Sequence, residues 1–380
     1  MDRALAIVGL FVACTGSRPP GPDAAIGPDA TAYPAFHPSM PQVKPAGRPP
    51  LVLANPTIQV VYFSGETAQA TYNPVFADYV ASAVFSSELA EYGVRSGTLA
   101  PPLTVGTSAP ATVPETAVDM FIKGELDGTH AEIGPVDSAT LATKEFILVY
   151  PASSVVTVGG VDTCTSGTTG YHRDVVLASG ARAQVGIVPT CDAGAGVIAG
   201  ATYAMVAIAT DPLVGLQPQG WAGFGGSLAQ PAAFGGELDT VCADAPATID
   251  GYSVAKIWSN AAAAAYHDPC APADPSPYFI AVPLATDPVG TGLGVTVPVG
   301  SYTTVALDLI SDGPTSAAWL LGATAVGDLT ATFSFDLPTG DNGDVLHLIV
   351  GAQAATSGVV DVTSTLGGVT HTWPLAVQAQ

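Results

Sequence analysis

The stretch ATYAMVAIATDP, Ala201 to Pro212, decides how the middle of this chain is read. Its apolar residues recur at helical spacing and Asp211-Pro212 stops it, so it predicts an amphipathic helix. ARAQVGIVPTC (181–191), just before it, reads as a strand running into Cys191. Upstream, TIQVVYF (57–63) and EFILVYPA (145–152) are rich in β-branched and aromatic residues and read as buried strands. NPVFADYVASAVFSSELAEYG (73–93) predicts a helix, with Asn73 as its cap, Pro74 in the first turn and Gly93 as its stop. A second helix is expected from Pro114 to about Leu126, with Val118, Phe121 and Ile122 on its apolar side. YSVAKIWSNAAAAAYHDPC carries a short helix into Cys270. Strands alternating with helices predict an α/β (mixed α+β) domain over residues 51–272.

From about Ala271 the texture changes. YFIAVPL, LGVTVPV, YTTVALDLI, AAWLLGA, DLTATFSFDL, DVLHLIV, GVVDVTST and THTWPLAV are short runs rich in Val, Thr and Leu, separated by Gly, Pro and Asp. This spacing predicts an all-β, Ig-like sandwich over 273–380, with the boundary at APADPS (271–276).

The chain has 380 residues, 48% of them apolar and only 11% charged, enough for a sizeable core. Ten Lys+Arg against 32 Asp+Glu give a net charge of −22. Such a surface repels phosphate, so nucleic acid is not an expected partner.

The N-terminus, MDRALAIVGLFVACTGS, has Arg3, an apolar run from Ala4 to Ala13, then Cys14. The run is too short to span a bilayer and suits a signal peptide. FVAC approximates a lipobox, which makes Cys14 the lipidated first residue of an exported lipoprotein after a 1–14 leader. Phe11 departs from the usual leucine, and cleavage near Gly16 by an ordinary signal peptidase is the competing reading. Gly16 also lacks the aspartate linked to inner-membrane retention, which points to the outer membrane or cell surface. Residues 15–50, dense in Pro, Gly and Asp with GPDA repeated at 22–25 and 27–30, read as a tether. Membrane contact is expected through the lipid, on a monomer whose protein or glycan partner the sequence does not name.

Of the five cysteines, lipidation removes Cys14 and leaves Cys164, Cys191, Cys242 and Cys270. Pairing 164 with 191 and 242 with 270 is the economical arrangement, with two other connectivities open. No CxxC spacing suggests a metal, and disulfides place the chain in an oxidising compartment.

Catalytic signatures are sparse. There is no G-x-S-x-G elbow, no P-loop and no HExxH. His172 in GYHRD, Glu237 and Asp239 in GELDTVC, and His267 in AYHDPC are the remaining candidate metal ligands, all in segments flanking the 201–212 helix. Each is equally a loop residue beside a disulfide. DNGD (341–344) reads as a turn between strands.

Five segments, FHPSMPQV (36–43), EYGV (91–94), GYH (170–172), VPTC (188–191) and IWSNAAAAA…DPC (257–270), carry a likeness to a known group. Together with ATDP they make residues 36–272 resemble exported bacterial zinc-peptidase-like (zincin-like) proteins. In that group the helix reads approximately S-H-E-x-x-E-A-x-T-D-P. Its Ser, His and Glu fall on Thr202, Tyr203 and Ala204, and its later Glu on Ala207. A metal-activated water needs imidazole and carboxylate one turn apart, and Tyr, Ala and Ala supply neither. The resemblance thus implies a degenerate site at Tyr203, Ala204 and Ala207, no catalytic residue, no cofactor, and a role in binding or scaffolding. Two alternatives stand beside it. One is an active metallohydrolase holding zinc with a rearranged set (His172, Glu237, Asp239, His267); the other is an adhesive surface protein acting through the sandwich.

Overall fold

The computed structural model describes residues 43–45, 51–128, 132–191, 194–214, 221–224, 238, 242, 247–265, 267–272, 277–285, 287–289 and 292–380. Cys14, the leader and most of the expected tether lie outside them. One piece of the 15–50 segment is packed: β1 (Val43–Pro45) is a strand, and Val43 is buried in the main core.

The first sheet contains β2 (Thr57–Ser64), β3 (Thr98–Leu99), β4 (Leu103–Ser108), β5 (Lys144–Tyr150), β6 (Tyr171–Val176) and β7 (Arg182–Pro189). Its order is β3-β2-β5-β7-β6, with β4 also paired to β2. Every pairing is parallel except β6 with β7. Strands buried on both faces need apolar residues at odd and even positions alike. In β2 and β5 this is plain. Ile58, Val60, Tyr62, Ile147 and Val149 enter one apolar cluster, and Val61, Phe63, Phe146, Leu148 and Tyr150 enter the other.

Helices cover both faces. On the first lie α1 (Gln69–Ala81), through Val75, Phe76 and Tyr79, and α3 (Ala195–Thr210). On the second lies α2 (Glu115–Leu126), through Val118, Ile122 and Leu126. The 73–93 helix needs correction. It begins four residues early, at Gln69, and breaks at Ser82, where ψ is 174°. Short turns over Ala83–Ser86 and Glu88–Tyr92 follow, and Gly93 ends the run in the left-handed region. Asn73 does not cap it, because its Oδ1 accepts the Tyr62 hydroxyl at 2.6 Å; Pro74 therefore lies inside the helix. Helix α3 likewise starts at Ala195 rather than near Ala201.

Each of the eight C-terminal runs contains a strand: β9 (Phe279–Pro283), β10 (Gly292–Val297), β11 (Tyr302–Ser311), β12 (Trp319–Val326), β13 (Ala331–Phe335), β14 (Val345–Ala352), β15 (Ser357–Leu366) and β16 (Val369–Ala379). They form two sheets, β9-β11-β14-β13 and β10-β16-β15-β12, the second extended by short strands at both ends. Leu307, Leu309, Leu348 and Val350 from one sheet meet Leu321, Val360, Leu375 and Val377 from the other in a single apolar layer. The Asp341–Asp344 turn is tied to itself and to β11: Asp344 accepts the Asp341 amide at 2.9 Å, and Asn342 accepts the Ser311 amide at 2.7 Å.

The expected boundary at 271–276 is not a break in packing. Tyr278, Ile280, Val282, Ile310 and Trp373 join the cluster that holds α1 and α3, and Trp373 meets Trp258 edge to face at 6.1 Å. The chain is predominantly β, and both of its disulfides are formed: Cys164–Cys191 and Cys242–Cys270.

Candidate functional site

Helix α3 is apolar around most of its circumference, the mark of a core helix. Small residues let it sit close to its neighbours. A Cβ on Gly186 of β7 would lie 2.7 Å from the Ala204 methyl and 2.8 Å from Ile147. One on Gly200 would overlap the Thr169 carbonyl. Its threonines are used internally. Thr202 Oγ1 donates to the Ile198 carbonyl at 2.8 Å and accepts the Ala255 amide at 2.9 Å; Thr210 donates to the Val206 carbonyl at 2.9 Å.

Of the three positions singled out from the resemblance, Ala204 and Ala207 are fully buried, and Tyr203 is half-buried with its ring against the main apolar cluster. His172, in β6, is buried, and its Nε2 donates to the Asp211 carbonyl at 3.1 Å, fastening the end of α3 to the sheet edge. His267 is half-buried and acts electrostatically on the Asp312 carboxylate of the second unit. Asp312 also accepts the amides of Asp268 (2.8 Å) and Tyr278 (2.7 Å). Glu237 and Asp239 lie outside the described residues; Leu238 between them is buried. Among the described residues no three His, Cys, Asp or Glu side chains gather as a metal-holding group. At positions 204 and 207 of α3 the side chains are methyl groups, which offer a metal no lone pair.

No family model matches this sequence, and no curated protein matches it. Several solved structures match parts of the chain, three of which follow. Domains 4 and 5 of the S-layer protein SbsC are 17% identical, with a TM-score of 0.19 over 27% of this chain and 65% of that one. A chimeric titin Z1Z2 functionalized with a KLER exogenous peptide from decorin is 17% identical, at 0.18, over 27% and 97%. Surface layer protein SbsC, domains 1–6, is 16% identical, at 0.19, over 35% and 25%. The chain thus spans under two thirds of the first of these. They are surface-layer and titin domains rather than peptidases, and scores this low fix neither architecture nor role.

Two features that sequence reasoning missed lie around the core. The first is Glu145 in β5. Its side chain is fully buried, and neither carboxyl oxygen has a hydrogen-bond partner. Gln184, its register neighbour on β7, leaves its own Oε1 unpartnered. Burial pushes the Glu145 carboxyl well above the usual range, so it is held neutral. The folded form binds this proton more tightly than the unfolded form. The associated stability is therefore complete below the unfolded value near 4.5 and is lost as pH rises through the folded value. Melting temperatures from about pH 5 to about pH 8 are expected to fall faster for the wild type than for Glu145→Gln, which has no proton to lose. Parallel curves would show that the Glu145 carboxyl keeps its ordinary value in the fold.

The second feature is the seat of β1, which pairs antiparallel with β8 (Trp221–Phe224). Asn260, first residue of α4 (Asn260–Ala264), accepts the Val43 amide on Oδ1 and donates from Nδ2 to the Val43 carbonyl, both at 2.7 Å. The turn that presents Asn260 is fixed from two sides. Ser259 Oγ accepts the Ala262 amide at 3.1 Å, and Glu91 accepts the Ala261 amide at 3.0 Å. Burial raises the Glu91 carboxyl above its ordinary value, against the lowering effect of Ser259 and the helix amides. Tyr92 stacks edge-on against Trp221 at 4.6 Å and donates its hydroxyl to the Trp258 carbonyl. The only sequence signal for this seat was FHPSMPQV and IWSN appearing together, and nothing in either says that they touch.

Proposed function

We propose that this is an exported cell-envelope protein, tethered through a lipid on Cys14, that works by binding or scaffolding rather than by hydrolysis. In this reading residues 51–272 are a non-catalytic α/β relative of zinc-peptidase-like proteins, followed by an Ig-like sandwich that stands away from the membrane. The observation that carries it is the packing at positions 204 and 207. There the methyl groups of Ala204 and Ala207 are sealed in the core, and the Gly186–Ala204 contact leaves no room for a longer ligating side chain. Two disulfides support an oxidising compartment. Among the described residues no helix is long and apolar enough to cross a membrane, so the proposed attachment rests on the lipid.

Elemental analysis of the purified exported chain tests this. Zinc is expected well below one ion per chain, with no chelator-sensitive cleavage of a peptide library. Stoichiometric zinc together with chelator-sensitive cleavage overturns it. Removing residues 273–380 is not a clean test of the sandwich, because Trp373 and Ile280 help close the core of the first unit.

A further inference from the structure

We propose that the seat of Val43 is a peptide-binding groove, filled in cis by the chain's own N-terminal segment and able to take the same segment from a second copy. The proposal rests on the binding role above and names its partner. Four observations carry it. Asn260 reads both backbone groups of a single residue, as a neighbouring strand does, so recognition depends on extended backbone rather than on a particular side chain. Val43 supplies a buried apolar anchor, only 2% exposed, in the cluster that also holds Trp221 and Tyr92. The Asn260 side of the groove is held without the segment: Tyr92 is held by Trp258, and the Asn260 turn by Ser259 and Glu91. Lastly, the Trp221 indole N–H is buried with no acceptor, so the seat holds a donor that the cis segment leaves unused.

The segment itself is a separable ligand. It is a strand of three residues whose clamp lies 217 positions away in sequence. So short a strand has little affinity of its own and is held by the high effective concentration of a tethered end. Where copies are crowded enough to approach that effective concentration, a neighbour's segment competes for the seat, which is strand exchange between identical chains. Charge agrees: the segment carries Lys44 and Arg48 in a chain of net charge −22.

The test uses the full chain and a labelled peptide of residues 41–48, PQVKPAGR. Val43→Asp ejects the cis segment, and Asn260→Ala disables the groove. Val43→Asp is expected to bind the peptide about tenfold or more tightly than either the wild type or the double variant. Mixed with Asn260→Ala, which keeps an intact segment, it is expected to form a one-to-one heterodimer in light scattering that neither variant forms alone. A folded Val43→Asp chain, with both disulfides intact by mass, that takes neither peptide nor partner overturns the proposal. Should Val43→Asp fail to fold, a site-specific protease sequence replacing residues 46–50 serves instead. After cleavage, exchange of the fragment for labelled peptide supports the groove, and a fragment that never exchanges overturns it. Mass spectrometry of the recovered peptide separates the two readings: cleaved peptide sinks the non-catalytic reading alone, and intact, unbound peptide sinks the groove alone.

Discussion

Gly200→Ala is expected to lower the folding stability by about 3 kcal/mol, although alanine is the better helix former. Gly200 lies in the interior of α3, where propensity alone favours the change by about 1 kcal/mol. The added methyl, however, would occupy the space of the Thr169 carbonyl and press on the Gly170 amide, 3.1 Å away. Both are backbone atoms, which cannot rotate aside as a side chain can. The contact is mutual, since a Cβ on Gly170 would come to 2.5 Å from the Gly200 carbonyl. Gly196, one turn earlier, is the control. Its added methyl meets the Thr169 Cγ2 at 3.1 Å, and a threonine side chain can shift. Urea titrations should therefore separate the two variants, with Gly196→Ala near wild type. If both variants match wild type, the close seating of α3 on the 169–170 loop is wrong.

Removing either disulfide is expected to cost about 3.5 kcal/mol by loop closure, because the bridged separations, 27 and 28 residues, are nearly equal. Burial then sets them apart. Cys242 and Cys270 are both in the main core, whereas Cys164 is exposed on a short helical turn, Thr163–Ser166. Cys242→Ala with Cys270→Ala should therefore lose more than the loop term, through the cavity left behind. Under mild reductant the native chain should lose Cys164–Cys191 first, with Cys242–Cys270 resisting until the fold opens. Mass spectrometry of alkylated cysteines over time reads this directly; reduction of Cys242–Cys270 ahead of Cys164–Cys191 contradicts the placement.

How much was legible depended on the range of the forces involved. Strands β2, β5 and β7 were readable because burial on both faces demands unbroken apolar runs, a local signature. The eight sandwich strands announced themselves by alternation and turn residues. The break at Ser82 was not readable, nor was the early start of α1. Asn73 looks like a cap, but the Tyr62 hydroxyl on a neighbouring strand takes its side chain. The first turn and a half of α3, AGVIAG, was passed over because its glycines argue against a helix, while the sheet beneath rewards close approach. Glu145 gives no warning either: a carboxylate in EFILVYPA looks like a strand end until β2 and β7 flank it.

By itself the sequence determined the alternation of elements in the first part, the all-β texture of the second and the acidic balance. All of these follow from composition and from periods of two and 3.6 residues. Only the tertiary structure decided that Ala204 and Ala207 are sealed against β7, that one apolar core runs on into the second unit, and that Asn260 holds Val43. Those depend on groups brought together from distant parts of the chain, and packing and hydrogen bonding at that range leave no trace in local spacing.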